Sequence, residues 1–464
     1  MAVPEQVDLV IRNGLVITLN PMRTILTNAS IAVQAGRIVA VGKTAELDAR
    51  YRGRETLDAT DKIVMPGLID AHLHTNEGPR GFVPDDIPAM PWIREWIRPI
   101  FAALDPDDEY LLSLLVLCEA LKTGTTMFCE GGTIKYPESI AAAVQETGIR
   151  ANIGRWTWDA VTEPRQFYRT PEQALHAYED LIREFHGAAD GRISVWVHLA
   201  GAGAVSDTLL VGAKQLADRH GIGISMHQSL TEEEVALFVA RHGRRPMEHF
   251  EALGVLDRNT RFIHMVALSD HEVDLIKRYD VKVVHCVMTA MKLGYGATAI
   301  GKFPEMIERG VTVALGCDGA NCSNTFDMFR AMFCVAGVHK DSRRDVRCIA
   351  AETALEMATI NGAKSLLMDH MIGSLEVGKC ADIVLCDRKQ LQWLPIANVI
   401  NNLVYSADGR SVDTVIVDGR IVVRNGRVVT VDEEALYDRV SRVDWVALMR
   451  ERAGLPLRCR WPVV

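Results

Sequence analysis

A chain of 464 residues exceeds one small domain and suggests one large domain with an accessory, or two to three domains. Its hydrophobic content of 48% and charged content of 24% are ordinary for a globular protein, and a net charge of −9 without a Lys/Arg stripe argues against a nucleic-acid partner. No uninterrupted apolar run is long enough to span a bilayer, and no charged-then-apolar signal pattern opens the chain. The ten cysteines lack CxxC pairs, which suits reduced thiols in a cytoplasmic enzyme.

Residues 8–63 alternate strand signals with turns. Two hairpins are expected there, one at Asn13-Gly14 and one at Ala35-Gly36. From residue 64 to 367 the pattern changes to apolar strand-like runs alternating with helical stretches. The first run, Met65-Pro66-Gly67-Leu68-Ile69-Asp70-Ala71-His72-Leu73-His74, ends in His-x-His. Alternate residues of a strand share a face, so His72 and His74 aim at one point beyond its end. The run at 111–121 reads as a buried amphipathic helix, and a helix is expected over Pro171–Phe185, with Thr170 as N-cap. Later runs end in His227, His264, His285 and Asp318. The far end returns to β style, with a strand at Ala381–Leu385 and a hairpin turning at Asp418-Gly419.

Repeated βα units with strands apolar on both faces imply a parallel sheet. Eight of them over about 300 residues fit a (β/α)8 TIM barrel. The expected fold is therefore α/β: a barrel over 64–367, a small β domain built from both chain ends (1–63 with 368–440), and a C-terminal tail, 441–464. In a barrel the C-terminal strand ends share one face, so five histidines and an aspartate collect there. The remaining histidines (176, 186, 220, 242, 249, 271, 339 and 370) read as helix or loop residues, with His198 at a strand end. Cys286, Cys317 and Cys322 read as small packing residues.

A His3Asp set leaves a position for water on a divalent cation, which lowers that water's pKa toward neutrality. Asp318 then serves as ligand and proton acceptor, and His264 as a hydrogen-bond partner to the hydroxide or the developing oxyanion.

The residues 66–74 quoted above, Met291-Lys292-Leu293-Gly294, Val313-Ala314-Leu315-Gly316-Cys317-Asp318-Gly319-Ala320, Asp327-Met328-Phe329 and the segment 372–384 together resemble the amidohydrolase superfamily. The closer likeness is to its branch of cytosine, guanine and adenosyl-homocysteine deaminases and triazine hydrolases. The resemblance implies a barrel with a β-sandwich side domain and a metal bound by His72, His74, His227 and Asp318. It implies His264 as the catalytic histidine, His285 beside it toward the substrate, and a homo-oligomer. Binuclear members carry a bridging lysine or glutamate on a middle strand. The segment Ile193–Val197 has neither, so one divalent transition metal ion is expected: Zn, or Co, Fe or Mn.

Three departures bear on the reaction. Deaminases of this branch place a glutamate three residues past the third histidine, where Leu230 stands here. Glu232, Glu233 and Glu234 read as the acidic first turn of a helix. The polar segment after a middle strand is replaced by Ala200-Gly201-Ala202-Gly203-Ala204, and a Ser-Asn pair by Thr289-Ala290. With Trp92, Trp96, Trp156 and Trp158 near the motifs, an apolar pocket is expected, with Trp92 and Trp156 touching substrate. The primary expectation is cleavage of an amide, urea, carbamate or thiocarbamate bond in a small, largely apolar molecule, a xenobiotic among the candidates. Phenylurea and molinate hydrolases look like the nearest analogues. The alternative is an aminohydrolase or dechlorinase of a nitrogen heterocycle (purine, pyrimidine or triazine), with Glu77, Glu130 or a loop acid replacing the missing glutamate.

Overall fold

The computed structural model describes residues 3–132, 135–160, 165–201 and 203–461. Eight parallel strands close a barrel: Leu68–His74, Thr125–Glu130, Arg150–Ile153, a fourth in two pieces (Ile193–Val195 and Val197–Leu199), Ile224–Gln228, Thr260–His264, Lys282–His285, and an eighth in two pieces (Val313–Leu315 and Asp318–Gly319). Hydrogen bonding divides the barrel into two five-stranded halves, and each interrupted strand contributes one piece to either half. The chain crosses between halves at Trp196 and again at Gly316-Cys317. Five small or branched side chains, Ala71, Ile263, Val284, Cys286 and Ala314, pack together inside the barrel. The opposite faces of the strands bury apolar residues against the helices.

The helix Pro171–Phe185 forms where expected. Thr170 accepts the Gln173 backbone N–H, Gln173 returns the bond to Thr170, and Ala174, Tyr178, Leu181 and Ile182 form the buried stripe. The apolar run at 111–121 lies in the helix Pro106–Lys122, most of whose residues are buried. Among the described residues no helix is long and apolar enough to cross a membrane.

Both chain ends build one nine-stranded β unit, in which Lys62–Pro66 pairs antiparallel with Ile383–Asp387. The Glu5–Ile17 strand pairs with Tyr51–Asp58 along its first part and with Lys62–Pro66 near its end, so the sheet parts into two wings there. The hairpins at Ala35-Gly36 and Asp418-Gly419 are present. The hairpin expected at Asn13-Gly14 is not. Asn13 takes a left-handed φ of +66°, and the register against Ile25–Gln34 shifts between Ile11 and Gly14. The dipeptide makes a bulge inside one 13-residue strand rather than a turn between two. In the tail, Met449 of the helix Trp445–Ala453 is fully buried in a cluster with Trp96 and Phe101, and residues 462–464 lie outside the described set.

Candidate metal centre

His72 and His74 close the first strand and are almost fully buried. His227 is on the fifth strand, His264 ends the sixth, and Asp318 opens the second piece of the eighth. The five converge. Asp318 Oδ1 lies 3.6 Å from His72 Nε2 and 3.4 Å from His74 Nε2, and Asp318 Oδ2 lies 4.0 Å from His264 Nε2. The His72 and His227 rings stand 4.8 Å apart. Nitrogens of His72, His227 and His264 fall within 4.8 Å of one another, as do donor atoms of His74, Glu77 and Asp318. Two glycines make the space: a Cβ on Gly131 would lie 2.0 Å from His74 Cε1, and one on Gly316 would lie 2.8 Å from His72 Cβ.

The backbone here is bent to purpose. His264 and Asp318 both hold left-handed φ, +74° and +65°, a conformation non-glycine residues adopt at a cost. Asp70 accepts the backbone N–H groups of His72 and Cys317, 3.2 and 3.0 Å away, so one carboxyl aligns the first strand with the eighth. Lys292, in the Met291–Gly294 segment, donates to the Asn321 carbonyl at 2.7 Å and to Asn324, anchoring the loop past Asp318. Asn321 in turn donates its backbone N–H to Glu77 at 2.9 Å.

The carboxylates around the cluster draw positive charge to it: burial opposes a charged His74, but Glu130 and Asp318 lift its imidazole to about 9, and a metal ion there would replace that proton. Burial drives the His72 imidazole down to about 3 and that of His264 to about 4, so both are neutral with lone pairs available. Burial alone would raise Asp318, but the surrounding imidazoles, His72 first and then His264 and His74, hold it well below the carboxylate range. Both ring nitrogens of His72, and Nδ1 of His227, are buried with no hydrogen-bond partner. Orphaned imidazole nitrogens around an ionised carboxylate fit a divalent transition metal. Neither piece of the fourth strand carries a lysine or glutamate.

A cavity of about 440 Å³ opens on this cluster. Trp92 and Trp156 line it as expected, together with Met90, Ile93, Ile97 and Leu230. Ala200, Gly201, Gly203, Ala204 and Thr289 line it too, while Ala202 lies outside the described residues. Trp158 stands edge-on behind Trp156, and Trp96 packs on Phe82.

His285, expected to touch substrate, is buried and does not line this cavity. Its ring stacks on Phe303 at 3.7 Å and its Nε2 meets that of His339 at 3.0 Å. Strand alternation turns it to the helix layer, with Val284 and Cys286 pointing inward. Two thiols expected only to pack stand at the site: Cys286 beside His72 and Asp318, and Cys322 with its Sγ 3.3 Å from Glu77. Burial pushes both thiols well up, so they stay protonated. His198 is buried and bonds Asn152 at 3.1 Å.

Four cavity residues lay outside the sequence-based site. Tyr295 directly follows the Met291–Gly294 segment, and its Oη lies 3.4 Å from His264 Nδ1. Glu77, weighed only as a substitute acid, is buried against the cluster, and burial lifts its carboxyl to about 7. Arg98 is buried, stacks its guanidinium 5.0 Å over Trp158, and leaves Nε without a partner. Glu234 is more than a helix-dipole residue: its side chain turns back to accept the Leu230 N–H at 2.6 Å and lines the cavity. Its signal was its place as third residue of the helix after the N-cap Thr231, from which a glutamate reaches back to a backbone N–H before the helix.

Residues 63–422 match the family model described as the amidohydrolase family. The chain belongs to the amidohydrolase family. It is 35% identical over 439 residues to a 5-methylthioadenosine/S-adenosylhomocysteine deaminase of Syntrophobacter fumaroxidans, covering 95% of this chain and 98% of the relative. It is 33% identical over 432 residues to a 5'-deoxyadenosine deaminase of Methanosarcina acetivorans, covering 93% and 96%. A crystal structure of an adenosine deaminase from Xanthomonas campestris with bound zinc superposes with a TM-score of 0.89 at 30% identity, over 97% of this chain and 99% of that one. An atrazine chlorohydrolase of Arthrobacter aurescens complexed with zinc, at 21% identity and TM-score 0.85 over 94% and 99%, shares the fold. The amidohydrolase is a metal-dependent enzyme of barrel and β-sandwich architecture that acts on C–N bonds. These curated relatives are named for adenosine compounds and give the expected xenobiotic substrate no support.

Proposed function

We propose that this amidohydrolase removes an amino group hydrolytically from a nitrogen heterocycle of purine type, releasing ammonia. The observation that carries this reading is the cluster of His72, His74, His227, His264 and Asp318 at the floor of a cavity large enough for a nucleoside. The relatives named as adenosine-compound deaminases support it. It reverses the order of the sequence-based expectations, which put amide, urea or carbamate cleavage first.

His72, His74, His227 and Asp318 would hold one divalent metal ion, zinc being the ion in the related structures. When bound, such an ion lowers the pKa of a coordinated water and supplies hydroxide at neutral pH. Asp318 accepts the proton that water gives up and returns it to the leaving nitrogen. In the tautomer in which Tyr295 donates to Nδ1, His264 carries its proton on Nε2, the nitrogen that faces Asp318, and can donate to the oxygen where negative charge develops. Trp92, Trp156 and Ile97 hold a flat ring and exclude water. The ten free thiols support a reducing compartment such as the cytoplasm.

One observation favours the second reading, cleavage of a urea, carbamate or thiocarbamate. Leu230 occupies the place of the branch's proton-donating glutamate. A turnover panel on zinc- and cobalt-loaded enzyme separates the two. It pairs 5'-deoxyadenosine, 5-methylthioadenosine and guanine with a phenylurea and a thiocarbamate. Ammonia from a purine compound is the expected product. Cleavage of the phenylurea or thiocarbamate, with every purine untouched, would reverse the order.

A further inference from the structure

We propose that Glu234 is the acid that protonates a substrate nitrogen at this site, in place of a glutamate at position 230. The inference rests on the C–N hydrolysis proposed above. Its cause lies in a local rearrangement of the chain after the fifth strand.

Ser229 takes a left-handed φ of +53°, which reverses the chain just past Gln228. Leu230 then precedes the N-cap Thr231, and the helix Glu232–His242 begins. Of the three acids in its first turn, Glu232 and Glu233 are exposed to solvent. Glu234 alone is half-buried and lines the cavity that also holds His227, His264 and Asp318. Its carboxyl is fixed by the Leu230 N–H, so the leucine that displaced an acid from position 230 helps to aim another.

Glu234 forms no ion pair with Lys, Arg or His among the described residues. Burial lifts its carboxyl to about 7, against the opposing hydrogen bonds from Leu230 and Thr231. A carboxyl lifted that far holds a proton in part of the population near neutral pH, as a general acid must. Across the cavity stand Arg94 and Arg98, Glu77 and the metal-site residues. Neither Glu77 nor Asp318 is free for this task, because both lie against His74.

The balance of the step is simple. As water's oxygen bonds to the carbon, the O–H bond of Glu234 breaks and an N–H bond forms on the ring nitrogen beside that carbon, or on the departing nitrogen of a urea or carbamate. The C–N bond then breaks. In the heterocycle one of water's protons passes through Asp318 to the departing ammonia and the other restores Glu234; in a urea or carbamate one restores Glu234 and the other stays on the acid product.

The test is Glu234→Gln, close in shape and unable to donate as an acid, in metal-loaded enzyme with whichever panel substrate turns over. A urea or carbamate serves as well as a purine, since an amine must also leave protonated. So failure of the purine reading leaves this test intact. For ammonia or amine release kcat should fall by about 100-fold or more, with KM and metal content near wild type. A substrate losing an arylthiolate from a carbonyl, which departs without a proton and has no ring nitrogen to protonate, should lose less than about tenfold. Amine release within twofold of wild type, or equal losses for both leaving-group classes, in a folded Glu234→Gln enzyme would overturn the assignment.

Discussion

Asp318 combines two demands that few side chains meet together: a carboxylate at the centre of the cluster and a left-handed backbone. Asparagine tolerates that backbone region but accepts no proton. Asp318→Asn should therefore fold, with a melting curve unchanged in the chelated state, while kcat falls by about 1000-fold or more, as measured in metal-supplemented assays. Glu234 allows a second check through stability. Its carboxyl holds a proton up to about 7 in the folded chain, against 4.5 unfolded. Between those values the folded state binds more protons, so its stability falls as pH rises, and the full penalty is present above 7. Glu234→Gln should thus raise Tm more at pH 8 than at pH 5 in paired thermal melts. The sequence made the strand-end ligands readable, because His-x-His and the later strand-end residues follow a period of two. It hid Glu234, Tyr295 and the orientation of His285. These depend on a reversed turn at Ser229, on a loop, and on which barrel face the seventh strand turns to the helices.

Between elements, a buried ion pair ties the barrel to the β unit. Arg150, on the third barrel strand, reaches Asp382 at 3.0 and 3.1 Å through two nitrogens and Asp418 at 3.4 Å. Arg150 and Asp382 are nearly inaccessible, with side chains 2% and 3% exposed. Asp382→Ala would strand a buried guanidinium and should cost about 3–5 kcal/mol in denaturant unfolding. The double change Arg150→Met with Asp382→Leu should cost clearly less than either single change, because no lone charge remains buried. Capped helices and tight hairpins were legible at this scale because their signals are local, as at Thr170 and Asp418-Gly419. Asn13-Gly14 misled because the same backbone preference serves a bulge as readily as a turn, and only pairing with Ile25–Gln34 decides between them. The ion pair itself joins residues 232 positions apart and leaves no local trace.

For the molecule as a whole, the β unit stitches the chain ends together and the barrel sets the site, which is why composition and alternation were enough to anticipate both. The breaks in the fourth and eighth strands were not legible, since broken and continuous strands read alike. Chelation should lower Tm in calorimetry, and added zinc should restore it in proportion to the logarithm of free metal, as for any ligand that binds only the folded state. The interrupted strands say where that loss begins. His72, His74 and Asp318 belong to one half of the barrel, and His227 and His264 to the other. The cluster therefore works like a clasp closed across a seam. A small parting of the halves would separate the donors while every strand kept its neighbours. On gentle heating of chelated enzyme, the capacity to rebind zinc should vanish several degrees before the far-ultraviolet circular dichroism changes, and cooling should bring it back.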